Sequence, residues 1–159
     1  MLLPCAILPI MRLSLAHIGS RLAPGDDFDR LTIRYLQRVE AYYPCQASSF
    51  PSEAAFLKWL DRRSARTSPL AVLLDSRGRQ MTSEAFASWL AQRRDQGAQH
   101  IVVAVGPASG WSDAARARAQ LQLSLGPLTL AHALARLVLA EQLYRACTIL
   151  AGHPYHCGH

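Results

Sequence analysis

Residues 69–106 read PLAVLLDSRGRQMTSEAFASWLAQRRDQGAQHIVVAVG, and the reading of this stretch decides the fold. It opens with a continuous apolar run, PLAVLLDS, bounded by Pro69 and by the turn residues SRGR, as expected of a strand buried on both faces. A helix follows in TSEAFASWLAQRRDQG. Thr82 or Ser83 is placed to cap it, Phe86, Trp89 and Leu90 share one side, and Gly97 stops it. HIVVAVG, residues 100–106, is a second buried strand. Strands of this kind need a crossover helix between them, so the stretch implies an α/β protein with a mainly parallel sheet.

The flanks extend this alternation. MRLSLAHIG, residues 11–19, alternates Leu13, Leu15 and His17 and ends at a glycine, which predicts a first strand. Phe28, Leu31, Tyr35, Leu36, Val39 and Tyr42 lie at helical spacing, with Asp26 or Asp27 as cap and Pro44 as stop. CQASSF suits a short edge strand, and PSEAAFLKWLDRR a second amphipathic helix opened by Pro51 and Ser52. Past the central unit, SDAARARAQLQL predicts a helix, SLGPLTL a short turn-containing segment, and AHALARLVLAEQLYRACTIL the last and strongest helix. With no repeat and no low-complexity linker, residues 11–159 are expected to form a single domain, and residues 1–10 an N-terminal extension.

Half of the 159 residues are hydrophobic, enough to bury a core. The formal charge of +6 suggests an anionic partner, and Lys58 is the only lysine among 17 basic residues. Arginine's planar fork of donors suits phosphate and stacked bases, although a GC-rich genome also inflates arginine. Cys5, Cys45, Cys147 and Cys157 have no C-x-x-C spacing, which predicts neither a zinc ribbon nor a disulfide scaffold and favours a reducing cytoplasm. Arg136, Glu141 and Arg145 interrupt the apolar run 131–150, and MLLPCAILPI is too short to span a bilayer, so no membrane association is expected.

Neither G-x-G-x-x-G, nor G-x-x-x-x-G-K-[ST], nor G-x-S-x-G occurs, which removes the fingerprints of dinucleotide binding, P-loop phosphoryl transfer and α/β-hydrolases. Instead three loops after strands, DSRGR, GPASGW and SLGPLTL, carry Gly or Pro, and loops at the carboxyl ends of strands are where open α/β sheets bind ligands. Glu141 and Arg145 are four apart, which by itself predicts a surface ion pair contributing a few tenths of a kcal/mol, roughly. His132 and Arg136 have the same spacing and predict a small cationic stripe. The tail holds His153, His156, Cys157 and His159, but at no standard metal spacing, so no metal is expected.

VGPASGW (105–111), LSLGPLTLAHALARLVLAEQLYRA (123–146), HPYH (153–156) and GRQMTSEAFA (78–87) together resemble the RlmH family of ribosomal large-subunit methyltransferases. The similarity runs from about Met11 to His156. The family belongs to the SPOUT class, so the resemblance implies a SPOUT-type α/β knot, with a trefoil knot at the C-terminal end. It implies a homodimer that transfers a methyl group from S-adenosylmethionine to N3 of a pseudouridine in helix 69 of 23S ribosomal RNA, on the assembled ribosome. Carried over by position, Leu74, Val105 and Gly106 flank the cofactor, and Leu125, Gly126, Pro127, Leu128, Thr129 and Leu130 bind its adenine and methionine parts. The tail docks at the active site, with the partner subunit completing each pocket. His156, then Tyr155, are the candidates for preparing the imide proton of the target base, while His132, Arg136 and Arg145 hold RNA or the cofactor carboxylate.

The sequence departs from the family's Gly-Gly-Pro-Glu-Gly loop, which is here Val105-Gly106-Pro107-Ala108-Ser109-Gly110. Cys157 stands where a basic residue usually follows the final Tyr-His. Two rivals are therefore carried: a non-catalytic RNA- or ribosome-binding protein whose cofactor loop has decayed, and a SPOUT methyltransferase acting on another RNA.

Overall fold

The computed structural model describes residues 10–19, 23, 25–62 and 68–157. Of the expected extension, all but Ile10 lies outside the described residues, as does Cys5.

Five strands form one parallel sheet: β1 (Arg12–Ile18), β2 (Cys45–Phe50), β3 (Leu70–Gln80), β4 (His100–Val105) and β5 (Leu121–Ser124), in the order β2-β1-β4-β3-β5. Every residue of β4 is buried, because it lies between β1 and β3 with helices on both faces. The period of two sorts its side chains. Ile101, Val103 and Val105 join the larger core, and Val102 and Ala104 join the smaller one.

Three helices cover the larger core: α1 (Asp27–Val39), α3 (Ser83–Asp95) and α5 (His132–Leu150), supplying Leu36 and Val39, Phe86 and Leu90, and Leu139 and Leu143. Two cover the smaller: α2 (Glu53–Asp61) with Phe56 and Leu60, and α4 (Asp113–Arg118) with Ala115. The first four helices begin at a side-chain cap, Asp26, Ser52, Thr82 and Ser112, each accepting from amides of the first turn. The long helix α5 packs against both α1 and α3. Among the described residues no helix is long and apolar enough to cross a membrane.

Two expectations need correction. SRGR is not a turn, because β3 continues through it to Gln80 with a bulge where its register against β5 shifts between Leu74 and Arg79. AQLQL is not helical. The chain leaves α4 at Ala119 with extended dihedrals, and Gln120 clasps Ala71 of β3, its amide donating to the Ala71 carbonyl and its side-chain oxygen accepting from the Ala71 amide at 2.6 Å. That double contact starts β5 alongside β3.

Candidate active site

The bulged middle of β3 and the loops leaving the carboxyl ends of β4 and β5 meet at one cavity of about 640 Å³. Leu74 to Arg77 come from the β3 bulge, Val105 to Trp111 from the loop after β4, and Leu125 to Leu130 from the loop after β5, while α5 contributes His132 and Ala135. All nine cofactor positions expected from the sequence line this cavity.

Trp111 fixes two of these loops to each other. Its indole N–H donates to the Leu74 carbonyl at 3.0 Å, and its ring is buried beside Phe56. The ring covers Gly106 so closely that a Cβ there would lie 2.7 Å from it, which makes glycine obligatory at this point of the altered loop. Arg116 fixes α4 to β3. Asp75, buried at the end of the apolar run, accepts from Arg116 Nε at 2.7 Å and from the Arg77 amide at 2.9 Å. Burial alone would raise the Asp75 pKa, but these donors and the two guanidinium charges outweigh it and hold the carboxyl below its ordinary range.

His132 donates from Nε2 to the Gly106 carbonyl at 3.1 Å, tying α5 to the β4 loop. Burial lowers its pKa, against that hydrogen bond and with help from Arg136, so it is a neutral donor on the cavity wall. Arg136 does not join it in a cationic stripe, and this corrects the sequence expectation. Arg136 is 4% exposed, turned inward with Nη2 3.6 Å from Asp29 on α1, and the burial lowers its pKa. In that position it offers RNA no surface in this chain.

The tail is ordered by the end of α5. Gly152, with φ +67°, reverses the chain: its amide donates to Ile149 and the next amide, of His153, to Thr148, which is the Schellman closure of a helix. The 3-10 turn Pro154–His156, capped by the His153 ring, is thereby folded back on α5. Tyr155 lies edge-on to Tyr144 with centroids 4.7 Å apart, and its hydroxyl donates to Glu141 at 3.0 Å. Burial and hydrogen bonds to Tyr35 and Glu141 push that hydroxyl's pKa up, so Tyr155 keeps its proton.

Glu141 and Arg145 are more than the expected surface pair. Both are largely buried; Arg145 donates to Glu141 from Nε and Nη2, at 3.0 and 2.7 Å, and lies over the Tyr155 ring. Its third nitrogen, Nη1, is 3.0 Å from His156 Nδ1, while His156 Nε2 is 2.7 Å from Glu84 on α3. The hydrogen bond from His156 holds the Glu84 carboxyl below its ordinary range. Glu84, Asp75, Trp111 and Arg116 were not singled out in the sequence; Asp75 alone carries a signal, a carboxylate closing an apolar run.

Tyr155 and His156 thus stand on the α3–α5 face and do not line the chain's own cavity. Cys45, Cys147 and Cys157 are free thiols, and burial raises the pKa of the first two to about 12, leaving them unreactive. Among the described residues, no three His, Cys, Asp or Glu side chains converge as metal ligands would.

Residues 11–156 match a family model described as "Predicted SPOUT methyltransferase". The chain is 49% identical over 149 residues to the ribosomal RNA large subunit methyltransferase H of Koribacter versatilis, covering 94% of this chain and all of that one. It is 42% identical to the protein of the same name in Sinorhizobium medicae, covering 92% and 99%. Solved structures share the fold at low identity. The SpoU methyltransferase AviRb of Streptomyces viridochromogenes, in complex with the cofactor AdoMet, aligns with a TM-score of 0.52 at 15% identity over 91% of this chain and 60% of that one. A probable methylase family protein from Haemophilus influenzae aligns with 0.55 at 9% over 93% and 71%.

Proposed function

The chain belongs to the SPOUT methyltransferase family, and we propose that within it the protein methylates N3 of a pseudouridine in helix 69 of 23S ribosomal RNA, on the assembled ribosome. It is an S-adenosylmethionine-dependent methyltransferase of large-subunit ribosomal RNA, as its relatives are named. The finer reading rests on one observation: the two loops that bear the family's motifs, after β4 and β5, converge with the bulge of β3 on a single cavity.

The cavity suits the cofactor. Its volume lies within the roughly 300–1,000 Å³ of small-molecule sites. Leu74, Val105, Leu125 and Leu130 give apolar walls for an adenine, and Gly106 and residues 125–130 line the rest of the cavity. When bound there the cofactor supplies an electrophilic methyl group on a sulfonium. The chain's own task is to hold the target base, exclude water and accept the imide proton.

In this reading the segment around the 125–130 loop is tied in the trefoil knot of the class, and Met11 begins one SPOUT domain with residues 1–10 as an extension. The protein acts in the cytoplasm as a homodimer. That the tail does not line its own cavity supports a dimer in which each tail completes the partner's site, with His156 as base and Tyr155 holding the target. Arg145 contacts RNA phosphate, and Arg136 acts only indirectly, by holding α5 to α1.

The test is methyl transfer from labelled S-adenosylmethionine to assembled ribosomes lacking the modification, with mass spectrometry of the helix 69 fragment. His156→Ala is expected to lower kcat by about 100-fold or more, and Tyr155→Phe by about 10-fold, with cofactor Kd nearly unchanged. Equal loss of cofactor binding in both variants would remove the tail from its proposed role. Methyl transfer to free transfer RNA instead of ribosomes would select another substrate.

A further inference from the structure

His156 is held at both ring nitrogens, and its two partners determine where its proton is. A guanidinium has five donors and no acceptor, so the contact from Arg145 Nη1 at 3.0 Å requires a lone pair on His156 Nδ1. The ring's proton is then on Nε2, which donates to Glu84 Oε1 at 2.7 Å. In this arrangement the imidazole is oriented but has no free lone pair with which to take a proton.

Arg145 is the partner that can leave. It is fixed to Glu141 through Nε and Nη2, and only its Nη1 covers the histidine. A phosphate diester offers the same bidentate geometry as a carboxylate and matches the guanidinium fork. Glu84 has no such attraction to phosphate: it belongs to the first turn of α3, where a negative charge is favoured, and its contact with Nε2 does not involve Arg145.

We infer that Glu84 is a positioning residue that orients His156 and stabilises it as it takes the imide proton, and that Arg145 masks His156 Nδ1 until an RNA phosphate takes the guanidinium. This rests on the reading of His156 as the base. In the step itself the N3–H bond of the target breaks with its electron pair left on nitrogen, and the proton bonds to Nδ1. The imidazolium keeps its second proton on Nε2 toward the exposed Glu84 carboxylate, in the relation the aspartate of a catalytic triad has to its histidine. The device prevents an exposed imidazole from acting before RNA is seated.

The experiment uses the full chain, labelled with ¹⁵N-histidine, and reads the tautomer of His156 from its long-range proton–nitrogen pattern. The Nε2–H form is expected for the free wild-type protein and for Arg145→Ala, where Glu84 still accepts from Nε2, and mixed tautomers for the double variant Arg145→Ala/Glu84→Ala. Glu84→Ala is expected to keep the tautomer while Arg145 covers Nδ1 and to lose about 100-fold in kcat on ribosomes. Glu84→Gln keeps a carbonyl for Nε2–H but no charge, so it is expected to keep the tautomer and lose about 10-fold, both with cofactor Kd within about twofold of wild type. An Nδ1–H or doubly protonated ring in the free protein at neutral pH would overturn the mask. Wild-type kcat in both Glu84 variants, on ribosomes that wild type methylates, would overturn the role of Glu84 and leave the enzymatic reading standing. If wild type methylates no ribosome, the enzymatic reading fails and the tautomer, which needs no substrate, still decides the mask.

Discussion

Asp75 carries a burden that its position at the end of an apolar run does not advertise. A carboxylate with a side chain 5% exposed is costly to desolvate unless donors surround it, and here Arg116 Nε and the Arg77 amide do so. The same contacts attach α4 to β3 beside Trp111, so the cavity's walls depend on one ion pair and one indole. Asp75→Asn keeps the shape, removes the charge and leaves Arg116 with only the exposed Asp113 as a carboxylate partner. At neutral pH it is expected to cost about 1–3 kcal/mol in urea unfolding. The folded pKa of Asp75 lies below its ordinary value of 3.8, so its contribution is present above that pH and is lost as pH falls through the folded value. The difference between wild type and Asp75→Asn should therefore shrink as pH drops below 3.8, and a difference that stays constant would assign the effect to shape.

At the level of elements, legibility follows how local the determining interaction is. Caps at Asp26 and Thr82 and the apolar strand β4 are written in consecutive residues, and the structure has them. β5 is not: LQLS becomes a strand because Gln120 meets Ala71, 49 positions away, and no window of sequence contains both. SRGR looked like a turn for the same reason, since only pairing with β5 extends β3 through it. The two loops that line the cavity after β4 and β5 were legible as strand ends and by their motifs, whereas the β3 bulge was not. The inward turn of Arg136 was not, because it depends on Asp29 from a different helix. The tail is an intermediate case. His-Pro-Tyr-His suggests docking, yet its direction is set by the left-handed Gly152, which closes α5 and sends Tyr155 back toward Glu141. Gly152→Ala places a Cβ in that conformation at a cost of about 1–2 kcal/mol. The helix body has its own core in Leu139 and Leu143, so the cost should appear as a loosened tail: reduced kcat, weakened Tyr155–Tyr144 packing by fluorescence, and cofactor affinity unchanged. A loss of cofactor binding in this variant would mean that the tail supports its own chain's cavity.

At the scale of the whole molecule, part of the positive charge stands at the cavity. Of the net +6, much is exposed arginine, and the β3 extension brings Arg77 and Arg79 to the surface beside the cofactor loops, Arg77 on the cavity wall itself. That extension exists only because β5 pairs past the bulge, so a feature of the sheet places cations at the mouth of the site. A small basic surface of this kind adds affinity for a polyanion without reading sequence. Its signature is ionic. If about three phosphates are neutralised, kcat/KM on ribosomes should fall about 20- to 40-fold between about 50 and 200 mM salt, while cofactor affinity, which involves no phosphate, should hardly change. Reversing both charges with Arg77→Glu and Arg79→Glu should reduce activity at low salt and flatten that slope. A slope unchanged by the double reversal would move the RNA path to another face, and the exposed arginines of α1, Arg30, Arg34 and Arg38, would be the next to reverse.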